Sequence, residues 1–196
     1  MDQIAGWLAA GNSIVVVPGW RDSGPAHWQS RWCRQYPAMA RVVQHDWDVP
    51  SARDWVDGLE TTVARAPGQV IIVAHSLGCV TLGHWAVLSR HAARVASALL
   101  VAPADVAREE APASFATFLP LPAAKLPFVS AVVASDNDPV CSAARSMTLA
   151  RDWGSRCVLL SGLGHINADS GLDDWPLGLK LLGQLIPAAV PQRLAA

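Results

Sequence analysis

Apolar residues along this chain fall into two alternating patterns. Short, unbroken apolar runs are separated by longer stretches in which apolar positions recur every three or four residues. The runs, rich in Val, Ile and Leu, predict strands at 13–17, 41–44, 69–74, 98–102, 129–134 and 157–160. The periodic stretches predict helices at 25–36, 51–66, 77–91, 141–152 and 174–186. Ser23 or Gly24 stands near the cap of the first of these, with Pro25 in its opening turn, and Ser51 caps the second. Pro18-Gly19 stops the first strand and Pro67-Gly68 ends the second helix. Strands that are apolar on both faces need helices on both sides. The pattern therefore predicts an α/β protein in three layers, with a six-stranded, mostly parallel sheet and right-handed crossovers.

One stretch breaks the alternation. Residues 103–127 carry Pro103, Pro112, Pro120, Pro122 and Pro127 together with Phe115 and Phe118. A connection this long inside one domain is usually functional. It is read as a lid or pocket segment, with a packed irregular connection as the alternative.

Composition narrows the class. At 196 residues, 52% hydrophobic and 16% charged, the chain can fill a core and is expected to form a single domain over 1–196. Disorder is excluded by the same figures. A net charge of −1 leaves no basic field for phosphates, so nucleic acid is not an expected partner. No apolar run reaches the roughly 18 residues of a membrane span, and no membrane partner is expected. The opening Met1-Asp2-Gln3-Ile4 has no positive segment, the first basic residue being Arg21, so a cytoplasmic protein is expected. Cys33, Cys79, Cys141 and Cys157 are too scattered for a zinc site and are read as free thiols. No metal or cofactor is expected.

The chemistry sits after three predicted strands. Ala74-His75-Ser76-Leu77-Gly78 runs from the clearest strand into a helix. That context suits a nucleophile elbow, in which small residues two before and two after the serine let strand and helix approach closely. Alanine replaces the first glycine of the strict G-x-S-x-G pattern. A serine needs a histidine base, and the base needs a carboxylate. His165, in Gly162-Leu163-Gly164-His165, and the aspartates of Ser135-Asp136-Asn137-Asp138-Pro139 supply them. The order Ser76, Asp138, His165 is that of α/β-hydrolases. Asp138 is preferred to Asp136 because Asp138-Pro139 leads into the next helix. Leu77 N–H and Trp20 N–H are the expected oxyanion donors, with Gly19 next. Arg21 and Asp22 are expected to pair on the rim. His75 reads as a residue that packs or bonds locally, His84 and His91 as helical and structural or solvated, and His45 has no visible partner. Trp47 and Trp55 read as core or rim, and Trp85 as core behind the serine.

These residues lie within a wider pattern. Val17-Pro18-Gly19-Trp20, Ser23-Gly24-Pro25-Ala26-His27-Trp28-Gln29, Asp46-Trp47 with Pro50, the elbow, Ser135 to Pro139, Gly164-His165-Ile166-Asn167 and Ser170-Gly171 with Asp174-Trp175-Pro176 together resemble a small bacterial α/β-hydrolase family. That family is related to the retinoblastoma-binding serine hydrolase of animals. The resemblance implies a compact α/β-hydrolase lacking the first two strands and any cap domain, with Ser76, Asp138 and His165 as its triad. The pocket-binding string Leu-x-Cys-x-Glu is absent, since Leu77-Gly78-Cys79-Val80-Thr81 ends in threonine. The expected activity is a serine hydrolase that cleaves small carboxylic esters through an acyl-enzyme. An amide- or peptide-cleaving enzyme and a non-catalytic binding protein on the same fold are the alternatives. A flavodoxin-like nucleotide binder is disfavoured, because Pro18-Gly19-Trp20-Arg21 offers no G-x-G-x-x-G loop.

Overall fold

Two buried faces of one sheet organise the protein. The computed structural model describes residues 2–187; residue 1 and residues 188–196 of the expected domain lie outside the described residues. Six strands, β1 (Ser13–Val17), β2 (Ala40–Arg41), β3 (Val70–His75), β4 (Val95–Val101), β5 (Val129–Ser135) and β6 (Arg156–Leu160), form one sheet. Their order is β2-β1-β3-β4-β5-β6, and every neighbouring pair is parallel. The helices are α1 (Gln3–Ala9), α2 (Trp28–Gln35), α3 (Ala52–Arg65), α4 (Leu77–Leu88), α5 (Ala143–Trp153) and α6 (Pro176–Leu185). None of the described helices is long and apolar enough to cross a membrane.

Alternate strand residues feed opposite cores, as the two-residue period of a strand requires. Val15, Val17, Ile72, Leu100 and Val132 pack against α3, α4 and α5 through Leu59, Leu82 and Trp153. Ile14, Val16, Ile71, Val73 and Leu99 pack against α1, α2 and α6 through Trp7, Trp32 and Leu182. The result is the three-layer α/β arrangement, and the sheet is parallel throughout rather than mostly so.

Several boundaries differ from the pattern-based expectation. No element is predicted before Ser13, yet α1 forms, with Asp2 accepting hydrogen bonds from the Ile4 and Ala5 amides. The expected helix 25–36 begins at Trp28. Its cap is His27, whose Nδ1 accepts from the Gln29 amide, so Gly24 and Pro25 form a turn instead. The strand expected at 41–44 shrinks to Ala40–Arg41 at the sheet edge. The helix expected at 77–91 ends at Leu88, and His91 falls in a following 3-10 turn, bonded to Glu60 at 2.8 Å.

The 103–127 segment is pinned at several points. It contains a 3-10 turn, Ala113–Phe118, and buries Phe115 and Phe118 in a third cluster with Trp55, Leu77 and Val80. His84 Nε2 on α4 bonds the Phe118 carbonyl at 2.9 Å.

Candidate active site

The chain changes direction across the sheet between β1 and β3, since β2 lies on one side of β1 and every later strand on the other. Open parallel sheets create a crevice at such a switch point, beyond the carboxyl ends of the strands. Ser76 stands there, immediately after β3. Its backbone is at φ 53° and ψ −121°, a conformation costing roughly 1–3 kcal/mol for a residue with a side chain. Its neighbours hold it: the Ser76 amide donates to Val101 O, and its carbonyl accepts from the Cys79 and Ala104 amides. Gly78 explains the small residue two positions on. A Cβ there would lie 2.6 Å from both the Val17 and Pro18 carbonyl oxygens. The β1 loop comes equally close, since a Cβ on Gly19 would meet Ser76 Cβ at 2.8 Å.

His165 and Asp138 complete an unbroken chain. The Ser76 hydroxyl lies 2.8 Å from His165 Nε2, and His165 Nδ1 lies 2.9 and 3.0 Å from the two Asp138 oxygens. His165 Nδ1 therefore donates to the carboxylate, which leaves Nε2 to accept the serine proton. The Asp138 side chain is only 2% exposed and also accepts from the Val140 amide. Asp136 is elsewhere: it accepts from the Ser161 hydroxyl and the Gly162 amide. Those bonds hold its carboxyl below the usual range. The β5 loop thus clamps the β6 loop in several places, with Asn137 Oδ1 taking the Gly164 amide and Ser135 Oγ the Leu163 amide. Such an arrangement can shuttle one proton between a serine oxygen and a carboxylate-oriented imidazole.

Among the described residues no acceptor takes the Leu77 or Trp20 amide hydrogen. The Trp20 indole instead donates to Asp48 O, with the Arg21 guanidinium 4.2 Å above its ring. Arg21 and Asp22 do not pair with each other. They turn apart in consecutive left-handed conformations, Arg21 towards Asp48 at 3.6 Å and Asp22 onto Arg41 at 2.6 Å.

Several residues left without a chemical role by sequence reasoning support the site. Trp28 Nε1 donates to the carbonyl of Ile166, the residue after His165, at 2.8 Å. Trp28 and Trp32 pack on Trp175, so an indole cluster links α2 to the histidine loop. Fully buried Gln29 donates to both Val17 O and Val73 O, joining β1 and β3 beside the switch point. The signal for these roles was present in the dense signature from Ser23 to Gln29, but not the partners. Trp85 is core, as expected, with its indole N–H on Glu60.

Two more histidines flank the site. His75 Nε2 donates to the His165 carbonyl at 3.0 Å, and the His27 and His75 rings lie 4.7 Å apart. Burial, reinforced by Arg41 and His165, pushes His27 down to about 3. Burial, with His27 and His75's other neighbour His165 adding to it, also holds His75 well below the usual histidine value. Both are neutral in the folded protein where the unfolded chain, with histidines near ~6.5, would already bind protons. Their contribution to stability is therefore complete above about pH 6.5 and is lost as pH falls towards the depressed folded values. The urea midpoint is expected to fall between about pH 7 and pH 4.5; an unchanged midpoint would contradict this.

The site opens into a cleft of about 280 Å³ lined by Trp20, His27, Ser76, Arg108, Phe115 and His165, among others. A larger groove of about 900 Å³ along Arg41, Gln44, Gly58 and Arg65 contains none of the three chain residues. Among the described residues no group of three or more His, Cys, Asp or Glu is placed to share a metal ion.

Comparison with known proteins places this geometry in context. A family profile described as serine hydrolase matches residues 14–184. A protein assigned as a YdeN-like hydrolase, from Pectobacterium atrosepticum, is 32% identical, with a TM-score of 0.82 over 94% of this chain and 97% of that one. The ydeN gene product of B. subtilis is 20% identical, with a TM-score of 0.70 over 89% and 98%. Est1E from Butyrivibrio proteoclasticus shares the fold at 10% identity, with a TM-score of 0.62 over 90% and 85%. No curated protein matches the chain.

Proposed function

This chain belongs to the serine hydrolase family, and on that premise we propose that it cleaves small carboxylic esters through an acyl-enzyme on Ser76. His165 Nε2 takes the hydroxyl proton as Ser76 Oγ attacks the ester carbonyl carbon. The oxyanion so formed accepts hydrogen bonds from the Leu77 and Trp20 amides. Collapse breaks the ester C–O bond, and His165 returns the proton to the departing alcohol. A water molecule then gives a proton to His165 and attacks the acyl carbon; collapse breaks the bond from the acyl carbon to Ser76 Oγ, and His165 returns the proton to Oγ, releasing the acid and restoring Ser76. Asp138 holds the imidazole tautomer and stabilises the imidazolium throughout.

The observation that carries this reading is the hydrogen-bonded chain from Ser76 through His165 to Asp138, with spacings of 2.8 and 2.9 Å. It favours catalysis over a binding role for the fold. The small cleft, near the lower limit of usual ligand pockets, favours small substrates. Peptides gain no support: Asp22, the carboxylate that lines the cleft, is taken by Arg41. A retinoblastoma-pocket role gains none either, because Leu77 and Cys79 are fully buried in α4. Four unpaired cysteines favour a reducing compartment such as the cytoplasm. Turnover of para-nitrophenyl acetate and butyrate against the matching anilides tests the proposal. Ester turnover with an initial burst of nitrophenol is expected. Cleavage of the anilides alone would overturn the ester assignment.

A further inference from the structure

The charges lining the cleft are not balanced. Asp22 is neutralised by Arg41 at 2.6 Å, and Asp138, behind the cleft, is engaged by His165. His27 and His75 are held neutral by burial. Arg108 remains. It lies in the 103–127 segment, is half-buried, and lines the same cleft as Ser76. Its Nη1 donates to the Asp105 backbone carbonyl at 3.2 Å, which positions the guanidinium without cancelling its charge. The Asp105 carboxylate goes to Arg145 Nε at 3.3 Å instead. Glu109 and Glu110 are exposed and form no ion pair with Arg108. Among the described residues, Arg108 is thus a cation in the cleft with no carboxylate partner.

The cleft wall also contains an unpaired donor. His27 accepts the Gln29 amide at Nδ1, so its neutral ring carries the proton on Nε2. That Nε2 is buried, has no partner, and belongs to a side chain that lines the cleft. A buried donor left unpaired is costly, and this one has no acceptor among the described residues. A guanidinium presents its donors in a fork matched to a carboxylate.

We propose that Arg108 recognises a carboxylate carried by the ester substrate, so that the substrate class is small monoesters bearing a second, free acid group. This rests on the ester-hydrolase reading above. A charge-assisted hydrogen bond of this kind corresponds to roughly a 10- to 100-fold preference.

Two substrate pairs read it out, one for each half of the ester. The para-nitrophenyl monoester of glutaric acid against para-nitrophenyl valerate places the carboxylate on the acyl side. Para-acetoxybenzoate against phenyl acetate places it on the alcohol side. Uncatalysed rates are subtracted, and the ratio of kcat/KM within each pair is compared for wild type, Arg108→Gln, Arg108→Lys and the remote charge control Arg151→Gln, with thermal melting as the folding check.

Wild type is expected to prefer the carboxylate ester of one pair at least tenfold. Arg108→Gln should bring that ratio to about unity, Arg108→Lys should restore part of it, and Arg151→Gln should leave it intact. Added salt should reduce it. Ratios near or below unity in both pairs for wild type, or a preference that survives in Arg108→Gln, would overturn the inference while leaving ester hydrolysis standing. Failure to hydrolyse any of the four esters would overturn both.

Discussion

Ser76→Ala is expected to lower kcat for a short-chain para-nitrophenyl ester by roughly a thousandfold or more, because nucleophile, base and acid act as a unit. The alanine retains Cβ and loses only Oγ, whose partner is His165 Nε2. The fold should therefore survive. Relief of the strained φ of 53° contributes nothing, since alanine is no more at ease there than serine. Equal melting temperatures combined with a collapse of kcat identify the hydroxyl as the reacting group. Retention of most activity would remove it from that role.

The two aspartates of the β5 loop are expected to separate sharply. Asp138→Asn keeps the side-chain shape but loses the charge that stabilises the imidazolium, and its amide can present a donor where His165 Nδ1–H needs an acceptor. A loss of about two to four orders of magnitude in kcat is expected, as in other triads. Asp136→Asn should be far milder in kcat. Its carboxylate accepts from Ser161 and Gly162 and makes no hydrogen bond to His165 or Ser76. Its cost should appear as a modest loss of stability in the loop that precedes His165. Measuring both variants above neutral pH, with circular dichroism to check folding, decides it. A severe Asp136→Asn beside a mild Asp138→Asn would reassign the acid.

How much of this was legible in the sequence depended on the kind of signal. The strands β1, β3, β4 and β5 were readable because burial on both faces leaves unbroken apolar runs. The pattern overextends the edge strand β2, since Val43 continues an apolar run past the residues that pair with β1. Helix α1 was missed although Asp2, Ile4 and Trp7 mark a cap and an inward face; seven residues are too few for a firm period. The start of α2 was misplaced because His27 is an unusual cap, and its preference is set by the Gln29 amide rather than by intrinsic propensity.

At the site, chain order and strand-end position in the sequence point to Ser76, Asp138 and His165. Arg108 was invisible for a different reason. An arginine in a proline-rich segment looks like any solvated charge until the fold shows which carboxylates are already taken. Trp28 and Gln29 belong to the same class. Their partners, Ile166 O and the Val17 and Val73 carbonyls, are distant in sequence, and no local pattern encodes them.

The claim that Ser76 is an activated nucleophile is tested most directly by reaction of the native protein with a fluorophosphonate, followed by intact mass measurement and peptide mapping. The account predicts one phosphonyl adduct per chain, carried by Ser76, that forms on the folded protein and fails to form after heat denaturation or in the Ser76→Ala variant. An unmodified native protein, or an adduct mapped to another residue with Ser76 untouched, would contradict it.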